Sequence, residues 1–259
     1  MNIKQIFFAS VPLLMMASCA TKHYHIASVD RSRIIIDSRY DQVTDQAAEA
    51  FLAPFKKVND SIMGPVVGVI AHNMHPQRPE SDLSNLLADI LVWAAKDYNE
   101  EPVLGIYNMG GIRADLTKGN VTYGDVLDVA PFENKICFTT LTGDKMLKLF
   151  DQIAKKDGEG VSSGLQLVIV GKEGEGRVQS VLLHGKEIDP KAEYRITTIN
   201  YLLEGNDGMP ALGEGTNVVA PTDASNNTRY LIMNYFRDKH SRGEIVDSKV
   251  EGRIVRIKE

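Results

Sequence analysis

The chain has 259 residues, carries a formal net charge of −5, and is 43 % hydrophobic and 24 % charged. That is enough apolar chain for one large domain or two small lobes. The acidic balance excludes a general nucleic-acid binder, which needs a basic face.

The first segment reads as an export signal. Lys4 supplies a cation, and the apolar run from Ile6 to Ala17 is too short to span a bilayer as a permanent helix. The run ends in Met16-Ala17-Ser18-Cys19, which resembles the lipobox of bacterial lipoproteins, where the cysteine is lipidated and becomes the new N-terminus. The alternative is a soluble secreted protein cut at an ordinary small-residue site. The expected parts are a signal peptide at 1–18, a tether at 19–40 and a domain at 41–259. The expected location is the bacterial cell envelope, lipid-anchored and facing the periplasm. With Cys19 lipidated, Cys137 has no partner for an intramolecular disulfide. Its neighbours in Lys135-Ile136-Cys137-Phe138 make it a small core residue. No second apolar run of spanning length follows, so the body is expected to be soluble.

Beyond the tether, helical and strand patterns alternate. Ala47, Ala50, Phe51, Phe55, Val58 and Ile62 recur at a helical period over 43–63, with a kink expected at Pro54. Pro65 to Ala71 is a β-branched run and predicts a buried strand. Leu83, Leu86, Leu87, Ile90, Leu91, Ala94 and Tyr98 mark an amphipathic helix over 82–98. A strand over 103–107 follows, and Thr122 with Asp125 forms a capping-box pair that starts another helix. A strand over 135–141 precedes a helix over 144–154 with Met146, Leu147, Phe150 and Ile153 inward. Strands at 165–170, 178–183 and 194–199 are separated by glycine-rich turns, and a last helix is predicted over about 224–237. Helices mixed with hairpin-spaced strands imply mixed sheets covered by helices.

Three clusters point to a ligand. Asn108-Met109-Gly110-Gly111-Ile112-Arg113 leaves a strand through two glycines that let a ligand approach the backbone. Asn108 and Arg113 can aim an amide and a guanidinium at one point, although a lone GG-x-R is equally an ordinary strand-to-loop turn. Pro131-Phe132-Glu133-Asn134 exposes an aromatic in a polar turn. Asn200-Tyr201 to Gly205-Asn206-Asp207-Gly208 adds a second aromatic and a carboxylate in a tight turn. Rings for a base, an acid for paired hydroxyls and an arginine for anions are what a nucleotide needs.

In this order the motifs NMGGIR, PFEN and NYLLEGNDGM resemble the C-terminal domain of the 5′-nucleotidase family, from about Asp41 to the C-terminus. The resemblance implies an α/β fold, a four-layer α/β/β/α type domain with mixed sheets. It implies a nucleoside pocket in which Phe132 and Tyr201 sandwich the base and Asp207 accepts from the ribose hydroxyls. Asn108 would contact the base or sugar edge, beside Gly110 and Gly111, and Arg113 would reach sugar or phosphate. The family also uses an arginine just before the first long helix; Arg78 is nearest, about one residue out of register. Asn206 stands where the family has a second glycine, and asparagine tolerates the left-handed conformation expected there.

In this family a separate metallophosphatase domain does the hydrolysis, with two divalent metals that activate water and clamp the leaving oxygens. The stretch before Asp41 is too short to be that domain, and no Gly-Asn-His signature occurs. His72 and His75 form His-x-x-His without a third ligand of recognisable spacing and are read as surface or pocket-rim residues. His184 and His240 are read as exposed. The expectation is therefore a chain without metal or other cofactor and without catalytic residues, inactive alone. It would be the nucleotide-binding half of a split 5′-nucleotidase, with divalent metals in a separately encoded metallophosphatase partner. The alternative is an independent nucleoside- or nucleotide-binding lipoprotein.

Overall fold

The structure is a computed structural model that describes residues 24–40, 44–172 and 174–257. The signal segment and Cys19 lie outside the described residues. Contacts divide the chain at Phe51–Leu52 into two units. In the first, residues 24–37 have no regular secondary structure and are exposed, and a turn covers 38–40. Helix α1 (Gln46–Met63) crosses the boundary, continues through Pro54 and buries no residue.

Among the described residues the second unit is built on three sheets. The largest has five strands in the order β5 (Gly160–Val161), β2 (Leu104–Tyr107), β8 (Glu193–Ile199), β4 (Ile136–Thr142) and β9 (Thr216–Val219). β2 and β8 run parallel, whereas β4 pairs antiparallel with β8 from Ile136–Ile199 to Thr142–Glu193. The second sheet is β10 (Ile254–Ile257), β6 (Leu165–Val170) and β7 (Arg177–Leu183), with β6 and β7 a hairpin and β10 parallel to β6. The third pairs β1 (Val66–Ile70) with β3 (Gly119–Thr122). The class is α/β with mixed sheets, as the resemblance implies.

The helices follow from their sequence patterns. α2 (Asp82–Ala94) starts at a capping box in which Ser81 and Ser84 satisfy each other's backbone N–H groups. It buries Leu83, Leu86, Leu87, Ile90 and Leu91, each worth about 1.5–3 kcal/mol against exposure. It lies so close to β2 that a Cβ at Gly105 would stand 2.6 Å from the Ala88 carbonyl oxygen, so only glycine fits. α3 (Tyr123–Val129) carries the expected Thr122–Asp125 box. α4 (Gly143–Lys155) buries Met146, Leu149, Phe150 and Ile153 and touches both β4 and β8 of the large sheet and β7 of the small one.

The last helix, α6, is displaced from its expected place. Ala224–Asn226 forms a separate 3-10 turn, Asn227 is extended and accepts from the Arg229 N–H, and the helix runs Thr228–Ser241. Between β8 and β9 lies the one-turn helix α5 (Asn200–Leu203). Cys137 is buried as expected, and burial pushes its thiol up to about 12. Among the described residues no helix is long and apolar enough to cross a membrane.

Candidate functional site

Three chain segments meet at one end of the large sheet. β2 ends at Tyr107, and Asn108 leads into a single 3-10 turn, Met109–Gly111. Asn108 is buried, and its Nδ2 donates to Asp207 Oδ2 at 2.8 Å. That donation fixes the amide orientation, because a carboxylate only accepts. Asn108 Oδ1 then has no protein partner. A Cβ on Gly111 would lie 2.5 Å from that oxygen, so the turn requires glycine there.

Phe132 and Asn134 lie in the turn between α3 and β4, and Tyr201 on α5 directly after β8. Lys135 N donates to Asn200 Oδ1 at 2.8 Å and Asn200 N to the Lys135 carbonyl at 2.9 Å, which ties the two ring-bearing segments together. Both rings stay open to solvent, Phe132 at 48 % and Tyr201 at 37 % exposure. Large aromatics left uncovered at a cavity are a binding signal rather than a packing one.

The Asp207 loop is shaped by positive φ at Gly205, Asp207 and Gly208. The left-handed residue is thus Asp207 itself, at φ +54°, and not Asn206, as the sequence suggested. A non-glycine residue held there costs on the order of 1 kcal/mol or more and is sustained by its surroundings. The surroundings are Asn108 on Oδ2 and the Tyr201 hydroxyl, which donates to Oδ1 at 3.3 Å. The Asp207 charge in turn raises the Tyr201 pKa.

These residues enclose one cavity of about 200 Å³, lined by Asn108, Gly110, Gly111, Phe132, Asn134, Tyr201 and Asp207. Six of these were singled out from the sequence. Asn134, the last residue of the PFEN turn, was not. Arg113 stands beside the cavity rather than in its lining, with Nη1 3.4 Å from the Gly110 carbonyl oxygen. Arg78 also lies outside the lining, and its guanidinium bonds Glu159 and the carbonyls of Lys156 and Gly158. Glu159, buried beneath the Met109 amide, had no signal in the sequence.

Among the described residues no group of three or more His, Cys, Asp or Glu side chains could hold a metal ion. His72 is half-exposed, with its nitrogens 3.2 Å from Asp82 and from Asp247, and His75 pairs with Asp115 at 2.7 Å. His184 places Nε2 2.9 Å from the Val103 carbonyl oxygen. Asp238-Lys239-His240 is an Asp-x-His sequence on α6, where Asp238 pairs with Arg242 at 2.6 Å. A second cavity, of about 170 Å³, lies around Arg253, which is already paired with Asp89 and Glu251.

A mixed α/β domain with an open two-ring pocket at its strand ends is a small-ligand-binding domain. The 5′-nucleotidase C-terminal domain profile matches residues 66–214, and the chain belongs to that family. Protein UshA of Yersinia enterocolitica is 26 % identical over 215 residues, which are 82 % of this chain and 38 % of UshA. A 5′-nucleotidase of Vibrio vulnificus is 29 % identical over 189 residues, covering 70 % of this chain and 32 % of its own length. The crystal structure of the 5′-nucleotidase precursor from Thermus thermophilus superposes with a TM-score of 0.70 at 26 % identity, over 82 % of this chain and 43 % of that one. The chain therefore spans less than half the length of each of these relatives.

Proposed function

We propose that this chain is the nucleoside- and nucleotide-binding half of a split 5′-nucleotidase that works with a separately encoded metallophosphatase. The observation that carries the reading is that Phe132, Tyr201 and the Asp207 carboxylate line one cavity. Two rings can hold a base of any sequence by its faces. Asp207 can accept from a hydroxyl pair, since a carboxylate has lone pairs beyond the two engaged by Asn108 and Tyr201. Arg113, beside Gly110, is within reach of a phosphate at the rim. Divalent metals on the partner would supply the activated water.

The test is co-purification from the native host followed by assay of the isolated chain and of the complex. The isolated chain with Mn²⁺ is expected to hydrolyse AMP no faster than buffer, and the complex to turn it over. Metal-dependent turnover that tracks the isolated chain through re-purification refutes the division of labour. A second reading, an independent receptor, is favoured by one observation: both rings and the Asp207 carboxylate come from this chain. Nucleoside binding by the isolated chain together with no co-purifying phosphatase selects that reading.

We also propose that the chain is exported and lipid-anchored through Cys19. Cys19→Ala is expected to shift the protein from the membrane to the soluble fraction or to stall its processing. Unchanged membrane association would remove the anchor.

A further inference from the structure

Behind the pocket lining, under the Met109 turn, lies an ion pair that no ligand-facing argument requires. The Glu159 side chain is fully buried, with Oε1 accepting from Arg78 Nη2 at 2.8 Å and Oε2 from the Met109 N–H at 2.5 Å. Met109 sits between Asn108 and Gly110, both of which line the cavity. Arg78 Nη1 donates to the carbonyls of Lys156 (2.7 Å) and Gly158. The two segments of this contact are pressed together: a Cβ on Gly158 would stand 2.1 Å from the Pro79 carbonyl oxygen. Burial raises the Glu159 pKa, Arg78 opposes that shift, and the Asp207 charge is near enough to add to it.

Beside Asp207 lies the Arg78–Glu159 pair, while the Lys156 side chain passes near Gly208 and Arg113 stands by Gly110 at the rim. An arginine paired with a buried carboxylate is no longer an anion receptor, because its charge is cancelled at contact distance and its forked donors are engaged. Were Glu159 uncharged, the Arg78 guanidinium would be left as an uncancelled cation behind the Met109 turn.

We propose that Glu159 is a specificity-determining residue of this pocket. By cancelling Arg78 beside Asp207 and holding the Met109 amide, it makes this side of the pocket accept a free hydroxyl pair and reject a phosphate in the same place. The ligand class is nucleosides and nucleotides with the 2′ and 3′ hydroxyls unmodified, in preference to 2′- or 3′-phosphates. The inference rests on the nucleotide-pocket reading above.

The test is calorimetric titration of the full chain with adenosine and 3′-AMP. Wild type is expected to bind 3′-AMP on the order of tenfold more weakly than adenosine, the scale of one unscreened like charge near a surface site. Glu159→Gln keeps the shape and removes the charge, and should narrow that gap severalfold. Glu159→Asp keeps the charge and should retain the wild-type ratio. Arg78→Gln moves the local charge the other way and should widen the gap, which gives a second arm if Glu159→Gln does not fold. A merely loosened Met109 turn would weaken both ligands together and leave the ratio unchanged. An equal ratio in wild type and Glu159→Gln, or a gap in Arg78→Gln no wider than in wild type, overturns the inference while leaving the pocket standing. Failure of wild type to bind either ligand overturns the pocket reading and this inference with it.

Discussion

Replacing Phe132 or Tyr201 with alanine is expected to weaken nucleoside binding by roughly tenfold to a hundredfold, the equivalent of about 1–3 kcal/mol of base stacking. The two rings are held from separate segments, Phe132 ahead of β4 and Tyr201 after β8, so each loss should be felt without collapse of the other. Tyr201→Phe keeps the ring and removes only the 3.3 Å bond to Asp207, so it should change affinity far less than Tyr201→Ala. Asp207→Ala should weaken adenosine more than its 2′,3′-dideoxy analogue, because only the ribonucleoside offers the hydroxyl pair. Both side chains are exposed and contribute little packing, so thermal stability should stay near wild type for the two ring variants. Titration calorimetry with adenosine and AMP measures all of this. Neutral behaviour at both Phe132 and Tyr201 would leave the fold intact and sink the stacking geometry.

Arg253→Ala is expected to destabilise the fold by about 3 kcal/mol, the low end for one partner lost from a buried pair. Arg253 is 5 % exposed, and its guanidinium binds Asp89 through both oxygens at 2.8 and 2.9 Å, Glu251 at 2.7 and 2.9 Å, and the Val161 carbonyl at 2.8 Å. It thereby joins the approach to β10 to helix α2 and to the edge strand β5. The low end applies because Asp89 and Glu251 keep some access to water, which softens the loss of their partner. Urea unfolding should show a lower midpoint at an unchanged slope, with adenosine affinity preserved in native buffer, since none of the residues lining the two-ring pocket bonds to Arg253. A shift below about 1 kcal/mol would mean that the remaining hydrogen bonds reorganise around the gap.

The sequence was most legible where one local rule acts alone. The periodicity of Leu83 to Ala94 and the Thr122–Asp125 box both stand where they were expected. β3, β5, β9 and β10 were not legible: each has four residues or fewer, and their pairing is decided by partners far away in the chain. The start of α6 moved because Asn227, extended and bridged to Lys135, caps the Arg229 N–H, while 224–226 closes into a separate 3-10 turn. Within the pocket, Phe132, Tyr201 and Asp207 were visible because aromatics and an acid in glycine turns have no good packing role. Glu159 was invisible: its meaning comes from Arg78 and Met109, 81 and 50 residues away.

Strand β8 lies between β2 and β4, parallel to one and antiparallel to the other. A partly folded chain holding only the β4–β8 pair would bring Phe132 and Tyr201 together but leave Asn108 and its turn elsewhere. Only when β2 docks in parallel, a closure across some ninety residues of chain and thus an intrinsically slow event, does Asp207 meet Asn108. A ligand of this pocket is consequently a reporter of completed sheet assembly. Present at a hundred times its dissociation constant, it would deepen the native well by about 2.7 kcal/mol without favouring any intermediate that lacks the third strand.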